Sequence, residues 1–125
     1  MTYMGWILLL FCGIVQTAAN LCLRAGVDRA GGFFFNIPTM SQSMMKLLSQ
    51  PLFDIGVIFY ALAAIIWFRI IATEQLSIAY PVLVSVTFIL VTIGAVLIFQ
   101  ESMTWLKILG VLTIIVGIVI MSWSK

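Results

Sequence analysis

Gln16, Asn20 and Arg24 follow one another at intervals of four residues inside the first long apolar segment of this chain. Residues four apart share one face of an α-helix, so a helix here would carry two amides and a guanidinium in one polar row. Amides in hydrocarbon are costly unless hydrogen-bonded, which favours either contacts between helices or the wall of a wet cavity. The guanidinium could bind a phosphate through paired hydrogen bonds or simply reach the lipid headgroups.

Other polar and aromatic candidates lie in the second and third apolar segments. Tyr60 and Trp67 are seven residues apart, as are Tyr80 and Thr87, and this spacing places each pair on one helix face. They could complete a cavity with the first segment, although aromatic residues at such spacing also pack against other helices. Arg69 near the end of the second segment is either an interfacial anchor or a contact for an anionic headgroup.

Several kinds of chemistry are disfavoured by what the chain contains. No Asp or Glu falls inside the core of an apolar segment, histidine is absent, and Cys12 and Cys22 lack the spacing of metal ligands. No nucleophile and base pair is visible, so we expect neither an enzyme nor a metal or other cofactor. The net charge of +2 and the scattered basic residues give no indication of nucleic-acid binding.

The elements that must position these residues are membrane-spanning helices. With 64% hydrophobic and 8% charged residues, the chain has too little polar surface to coat a soluble globule. About 20 residues are needed to cross the hydrocarbon core. We therefore predict a single integral membrane domain over residues 1–125, an all-α bundle of four transmembrane helices. The predicted spans cover residues 3–24, 53–72, 77–98 and 104–123.

The connections between the spans differ greatly in length. Spans two, three and four are joined by tight turns, which makes consecutive spans antiparallel neighbours. The connection over residues 25–52 is much longer, and the spacing of Met40, Met44 and Leu47 predicts a short helix in the headgroup layer. This helix either packs on the bundle or touches lipid and a lipid-attached substrate.

The last two spans contain helix-shaping residues. If Ser77 caps the third span, Pro81 removes only a hydrogen bond of its first turn. In the fourth span Gly110 and Gly117 lie seven residues apart, and small residues on one face let another helix approach closely. These glycines predict a dimer seam or, alternatively, packing within one subunit.

Together these features resemble the small multidrug resistance family and the wider drug/metabolite transporter superfamily. The resemblance rests on the order of a Gln16-Thr-Ala-Ala-Asn20-Leu-Cys-Leu-Arg24 segment, an Ile-Ala-Tyr-Pro turn ending at Pro81, Glu101 after the third span, and the Gly110 to Gly117 segment. It implies a small membrane protein of four transmembrane helices. The long first connection departs from the drug exporters.

A second departure concerns the mechanism. In the drug and guanidinium exporters of that family an essential glutamate lies eight residues before a basic residue in the first span, and here Gln16 stands eight residues before Arg24. Because glutamine neither loses nor gains a proton near neutral pH, cation/proton exchange should not transfer to this chain. The motifs are more similar to the branch of paired flippase subunits for aminoarabinose attached to undecaprenyl phosphate.

That resemblance implies translocation of a lipid-linked sugar across a bacterial inner membrane. One subunit of four spans is too small to enclose such a cargo, so we expect a homodimer or a heterodimer with a related small membrane protein. The amides would bond sugar hydroxyls, and Arg24 and Arg69 would neutralise phosphate. An exporter of small polar or cationic solutes is the alternative function. A partner or assembly protein that transports nothing is a third.

Overall fold

The computed structural model describes residues 2–31 and 37–123, and the part of the chain that it describes contains five helices and no strand. Four helices are long and apolar enough to cross a membrane, which confirms the predicted all-α architecture with four spans. A shorter helix lies in the long connection, as the methionine spacing predicts. The helices are α1 (Tyr3–Arg29), α2 (Ile37–Leu48), α3 (Pro51–Thr73), α4 (Leu76–Ile98) and α5 (Trp105–Trp123).

Helix α1 is longer than the predicted span and ends at Arg29 instead of residue 24. It begins after Thr2, whose hydroxyl accepts a hydrogen bond from the backbone N–H of Gly5 at 3.1 Å and so caps the helix. A helix of 27 residues is about 40 Å long, whereas the hydrocarbon core is about 30 Å thick. Its last turns, which carry Arg24 and Arg29, therefore extend towards the headgroup layer.

Helix α1 packs against both α3 and α4, whereas α3 and α4 have few contacts with each other. Glycines permit these close approaches. A Cβ built at Gly26 would lie 2.7 Å from the backbone nitrogen of Phe53 in α3, and one at Gly13 would lie 3.0 Å from the Val86 side chain in α4. The three spans thus form a V in which α1 lies at the vertex.

The buried core fills the half of the V next to the α3–α4 turn. At the same end, the Glu74 carboxylate accepts a hydrogen bond from the Thr2 hydroxyl and joins the turn to the start of α1. This hydrogen bond lowers the pKa of Glu74. The core residues are Leu9, Cys12, Ala63, Ile70, Ile78, Ala79, Val82 and Leu83.

The start of α4 differs from the expectation. Gln75 occupies the N-cap position and the helix begins at Leu76, so Ser77 lies inside the first turn and does not cap it. Pro81 is consequently the sixth residue of the helix, and its missing N–H leaves the Ser77 carbonyl without the usual helical hydrogen bond. The prediction that Pro81 affects only the first turn is wrong because the helix starts earlier than a serine cap would place it.

Helix α5 packs on α4 and is the most exposed of the spans. None of its residues, all of which the structure describes, is buried. A Cβ built at Gly110 or Gly117 would meet no described atom within 4 Å. The dimer seam and packing within one subunit therefore both remain predictions.

Candidate functional site

A cavity of about 660 Å³ lies where α3 and α4 diverge, with α1 as its floor. Its position follows from the fold, because α3 and α4 both pack against α1 but have few contacts with each other, which leaves a space between them. Five of the seven predicted substrate-binding residues line it: Gln16, Asn20, Tyr60, Tyr80 and Thr87. The remaining lining residues are Cys12, Ala63, Ala64, Trp67, Leu83, Val84, Phe88 and Val91.

The two amides form hydrogen bonds to both walls of the cavity. The Tyr60 hydroxyl on α3 donates to Oδ1 of Asn20, and the Thr87 hydroxyl on α4 donates to Oε1 of Gln16 at 3.5 Å. In both bonds the amide oxygen is the acceptor, which leaves the amide NH₂ groups as donors for a ligand. The amides are therefore contacts between helices and part of a cavity wall at once, so the two interpretations of the polar row are not exclusive.

Aromatic rings close the cavity towards the core. The rings of Trp67 and Tyr80 have centroids 5.9 Å apart and are tilted by 57°, so α3 and α4 meet here through a tilted aromatic pair. Ala63 and Ala64, one turn before Trp67, are small enough to leave the space beside Tyr60 open. Sequence reasoning did not select the alanines, although their spacing between Tyr60 and Trp67 on one helix face could have indicated them.

Among the residues that the structure describes, no charged side chain lines this cavity. Arg24, the third member of the polar row, turns away from it towards the α4–α5 turn. Its Nε donates to both carboxylate oxygens of Asp28 at 3.2 Å, and one terminal nitrogen lies 3.4 Å from the carboxylate of Glu101. The guanidinium also lies over the ring of Phe99, 5.3 Å from its centroid.

Arg69 lies outside the cavity as well, exposed near the other end of the bundle. Its neighbour Ile70 packs in the core with Leu9, which is 15 residues, or about 20 Å, from Arg24 along α1. The structure thus brings the amides, tyrosines and Thr87 together and leaves the two arginines near opposite ends of the helix bundle. In this conformation the two arginines cannot contact one phosphate together.

A second cavity of about 300 Å³ lies between α4 and α5. The charged residues Glu101 and Lys107 line its outer end, and Phe88 and Val91 belong to the walls of both cavities. Sequence reasoning used Glu101 only as part of a family motif. The sequence signal that could have indicated this cavity is a carboxylate and an ammonium on either side of one short turn. Its other lining residues are Thr92, Ala95, Val96, Gly110, Val111 and Ile114.

Comparison with known proteins gives the family. The chain is 44% identical over 121 residues to a Yersinia pseudotuberculosis protein named "Probable 4-amino-4-deoxy-L-arabinose-phosphoundecaprenol flippase subunit ArnE", with 95% of this chain and 96% of that protein covered. The chain belongs to the ArnE family of flippase subunits. A Yersinia pestis protein of the same name is 42% identical over 95% of this chain and 96% of its own length.

More distant ArnE proteins retain the full length of the match. One from Erwinia tasmaniensis is 26% identical over 118 residues, which cover 94% of this chain and 96% of that protein. No family model matches the chain, and no solved structure matches it. Membership of the ArnE family confirms the predicted aminoarabinose flippase branch, and with the four apolar helices it makes the chain a multi-pass membrane transporter.

Proposed function

We propose that this ArnE-family chain is one subunit of a flippase that moves undecaprenyl phosphate-linked 4-amino-4-deoxy-L-arabinose across the bacterial inner membrane. The observation that carries the proposal is the cavity between α3 and α4. Its volume lies within the range of small-ligand pockets, about 300–1,000 Å³. Amide and hydroxyl groups on an otherwise apolar wall suit a sugar, whose hydroxyls both donate and accept hydrogen bonds.

The hydrogen bonds inside the cavity support a role in sugar recognition. Tyr60 and Thr87 direct their hydroxyl protons to the oxygens of Asn20 and Gln16, which orients the amides with NH₂ groups available to a ligand. A sugar hydroxyl that accepts from these amides replaces hydrogen bonds to water, and the uncharged lining lets the cargo leave again. Gln16 takes up no proton near neutral pH, so we propose that proton exchange at this position does not drive transport.

The two arginines support a role at the membrane surfaces. We propose that Arg24 meets the cargo phosphate at one surface and Arg69 meets it at the other, since they lie about 20 Å apart along the bundle. Arg24 is already paired with Asp28 and Glu101, so the phosphate would have to compete with these carboxylates. Such competition makes binding reversible, which a flippase requires.

Helix α2 supports a contact with the lipid tail. Leu47 is buried in the protein, whereas Met40, Met44 and Leu48 remain exposed. An amphipathic helix that packs by one face and exposes flexible thioethers by another suits an apolar chain at the headgroup boundary. We propose that the polyprenyl tail stays in the bilayer and slides along this helix while the sugar occupies the cavity.

The exposed fourth span supports assembly with a second chain. The V formed by α1, α3 and α4 is open on one side, so a single protomer does not enclose its cavity. We propose that α5 contributes a seam through Gly110 and Gly117 to a homodimer or to a heterodimer with a related small membrane protein. The relatives are named as subunits, which also supports a partner chain.

The cargo carries a primary amine, and this permits a direct test. Proteoliposomes containing the protein, with its partner if one is required, and the amino-sugar lipid are treated with an amine-reactive reagent that does not cross membranes. A flippase makes labelling exceed the fraction of lipid initially outside. Thr87→Val should slow this labelling about fivefold, because it removes one hydrogen bond worth about 1 kcal/mol.

Thr113→Val is the matched control for Thr87→Val. Thr113 lies on α5, outside both cavities, and its hydroxyl only donates to the Leu109 carbonyl of its own helix. It should therefore leave the labelling rate unchanged. Saturable flux of a soluble cation in liposomes that lack polyprenyl lipid, with no excess labelling of the amino-sugar lipid, would instead support the solute exporter and contradict the proposed function.

A further inference from the structure

Four charged side chains meet where the end of α1 faces the α4–α5 turn. They are the cations Arg24 and Lys107 and the carboxylates of Asp28 and Glu101, so the formal charge of the group is balanced. Arg24 is paired most closely with Asp28, at 3.2 Å, and both of these residues lie outside the second cavity. Glu101 and Lys107 line its outer end and are therefore the two charges that a ligand in this cavity would meet.

The charge of Glu101 is only partly compensated inside the protein. Its distance to Arg24 is 3.4 Å, longer than the 2.7–2.9 Å typical of a strong charge-assisted hydrogen bond, and its side chain is 41% exposed. Its other carboxylate oxygen makes no hydrogen bond to any residue that the structure describes. Glu101 can therefore bind an additional cation without first losing a strong partner.

Lys107 has similar spare capacity. Among the described residues its ammonium donates one hydrogen bond, to the Ser102 carbonyl at 2.8 Å, whereas an ammonium has three donors. Ser102 lies in the turn itself, so this bond holds the ammonium near the surface end of the cavity. The inner end of the cavity is lined by Val91, Ala95 and Ile114 and is apolar. The cavity thus combines one anion and one cation at the surface with a hydrocarbon wall below them.

We propose that the second cavity binds a lipid head group that carries both an ammonium and a phosphate, with the ammonium on Glu101, the phosphate on Lys107 and the upper tail against the α4 and α5 side chains. For the amino-sugar lipid, this contact with Lys107 would precede the contact of the phosphate with Arg24 outside the cavity. Two lipids have this chemistry: the amino-sugar lipid, if the proposed function holds, and an ethanolamine phospholipid of the bilayer. A neutral sugar on the same carrier lacks the ammonium, so Glu101 would be the residue that distinguishes the two cargoes.

The position of this site relative to the central cavity gives it a role in transport. Phe88 and Val91 line both cavities, so they form the wall between them. A head group held by Glu101 and Lys107 therefore lies in a cavity that adjoins, across these two side chains, the cavity lined by Gln16. The second cavity is therefore a surface subsite, in which charge selects the lipid before the neutral cavity receives its sugar.

Competitive lipid binding to the purified full-length protein tests this inference. The protein is given an equimolar mixture of the amino-sugar lipid and its N-acetylated form, which differ in the charge of one nitrogen, and the bound ratio is measured by native mass spectrometry. A second mixture pairs an ethanolamine phospholipid with its N-acetylated form. We expect the wild-type protein to prefer the charged amine by about two- to fivefold, the ratio for one partly exposed ion pair.

Three variants assign that preference to the carboxylate. Glu101→Gln should bring the ratio to about one, whereas Glu101→Asp, which keeps the charge, should retain most of it. Asp54→Asn is the matched control because Asp54 is an exposed carboxylate at the same end of the bundle and lines neither cavity. Far-ultraviolet circular dichroism of each variant checks that the helices are intact. If Glu101→Gln fails to fold, Glu101→Ala, which also removes the charge, takes its place in the comparison.

The two mixtures and the flipping assay separate the possible results. Loss of preference in Glu101→Gln for the polyprenyl pair supports the site and assigns it to the cargo, and loss for the ethanolamine pair alone supports it and assigns it to bulk lipid. The inference is overturned if wild type and Glu101→Gln show the same bound ratio, or if Asp54→Asn loses the preference to the same extent. If the polyprenyl lipid is still flipped, the proposed function stands in either case. If no polyprenyl lipid is flipped but the ethanolamine pair responds to Glu101→Gln, the proposed function fails and the site remains.

Discussion

Replacing Gly26 with alanine should loosen the contact between α1 and α3 on which the cavity depends. The new Cβ would lie 2.7 Å from the nitrogen and Cβ of Phe53 and 2.9 Å from its Cα, whereas ordinary contacts begin near 3.4 Å. Because two of these atoms belong to the backbone and cannot rotate away, the helices must separate by several tenths of an ångström. Overpacking of this kind costs up to about 3 kcal/mol. The better helix propensity of alanine offsets about 1 kcal/mol, so we expect a net loss of about 2 kcal/mol.

Gly110→Ala is the matched control, since a Cβ there meets nothing within 4 Å. It should gain up to about 1 kcal/mol from helix propensity alone, so the two substitutions should differ by about 3 kcal/mol. Reversible unfolding of the dissociated protomer in mixed dodecyl maltoside and dodecyl sulfate micelles, followed by tryptophan fluorescence and circular dichroism, measures both. Measurement at high dilution keeps association through α5 from adding to the result.

The predicted overpacking against Phe53 is contradicted if Gly26→Ala unfolds at the same dodecyl sulfate fraction as wild type. It is also contradicted if Gly110→Ala is destabilised as much as Gly26→Ala. The flipping assay gives an independent reading of the same change. Separation of α1 from α3 pulls Asn20 away from Tyr60, so transport should slow even under conditions in which the variant remains folded. Unchanged transport together with a full loss of stability would mean that the cavity does not depend on this contact.

Three further substitutions test other parts of the structure. Tyr60→Phe removes the hydroxyl that orients the α1 amide and should slow flipping about fivefold, whereas Tyr3→Phe, an exposed control, should not. The Thr2 hydroxyl lowers the pKa of Glu74, so the stabilisation is present at neutral pH and is lost as pH falls through that lowered value. Thr2→Ala should therefore make the thermal midpoint less dependent on pH in the acid range. A pH dependence of the midpoint equal to that of wild type would contradict this prediction. Gly117→Leu should weaken association with the partner, measured by analytical ultracentrifugation, without lowering protomer stability; unchanged association would exclude the glycine seam.

Much of the central cavity could be predicted because helical periodicity determines which side chains share a face. Gln16 and Asn20 lie one turn apart, and the structure places both on the cavity floor. Tyr80 and Thr87, two turns apart on α4, line the same cavity for the same reason. The short turn between α3 and α4 makes these helices antiparallel neighbours. Residues that share a helix face in the sequence pattern therefore also line the same cavity.

Helical spacing does not predict the contacts of the arginines. Helical spacing places Arg24 one turn beyond Asn20, but a long flexible side chain follows the nearest charges and not the face of its Cα atom. One of those charges is Glu101, 77 residues away in the sequence, and the pairing depends on a turn whose path the spacing does not determine. The end of α1 was missed for a related reason, because hydropathy shows where the membrane core ends and not where a helix ends.

The exposure of α5 has a consequence for how the protein is produced. Helices α1, α3 and α4 hold one another through buried side chains, whereas α5 buries none of its own. Inside the protomer α5 is held only by partly buried contacts with α4 and by Ile118 against the core, so lipid or a second chain must supply the rest of the free energy that positions it. If the proposed dimer forms through α5, a protomer without its partner keeps this apolar helix face exposed, and a quality-control protease can recognise it.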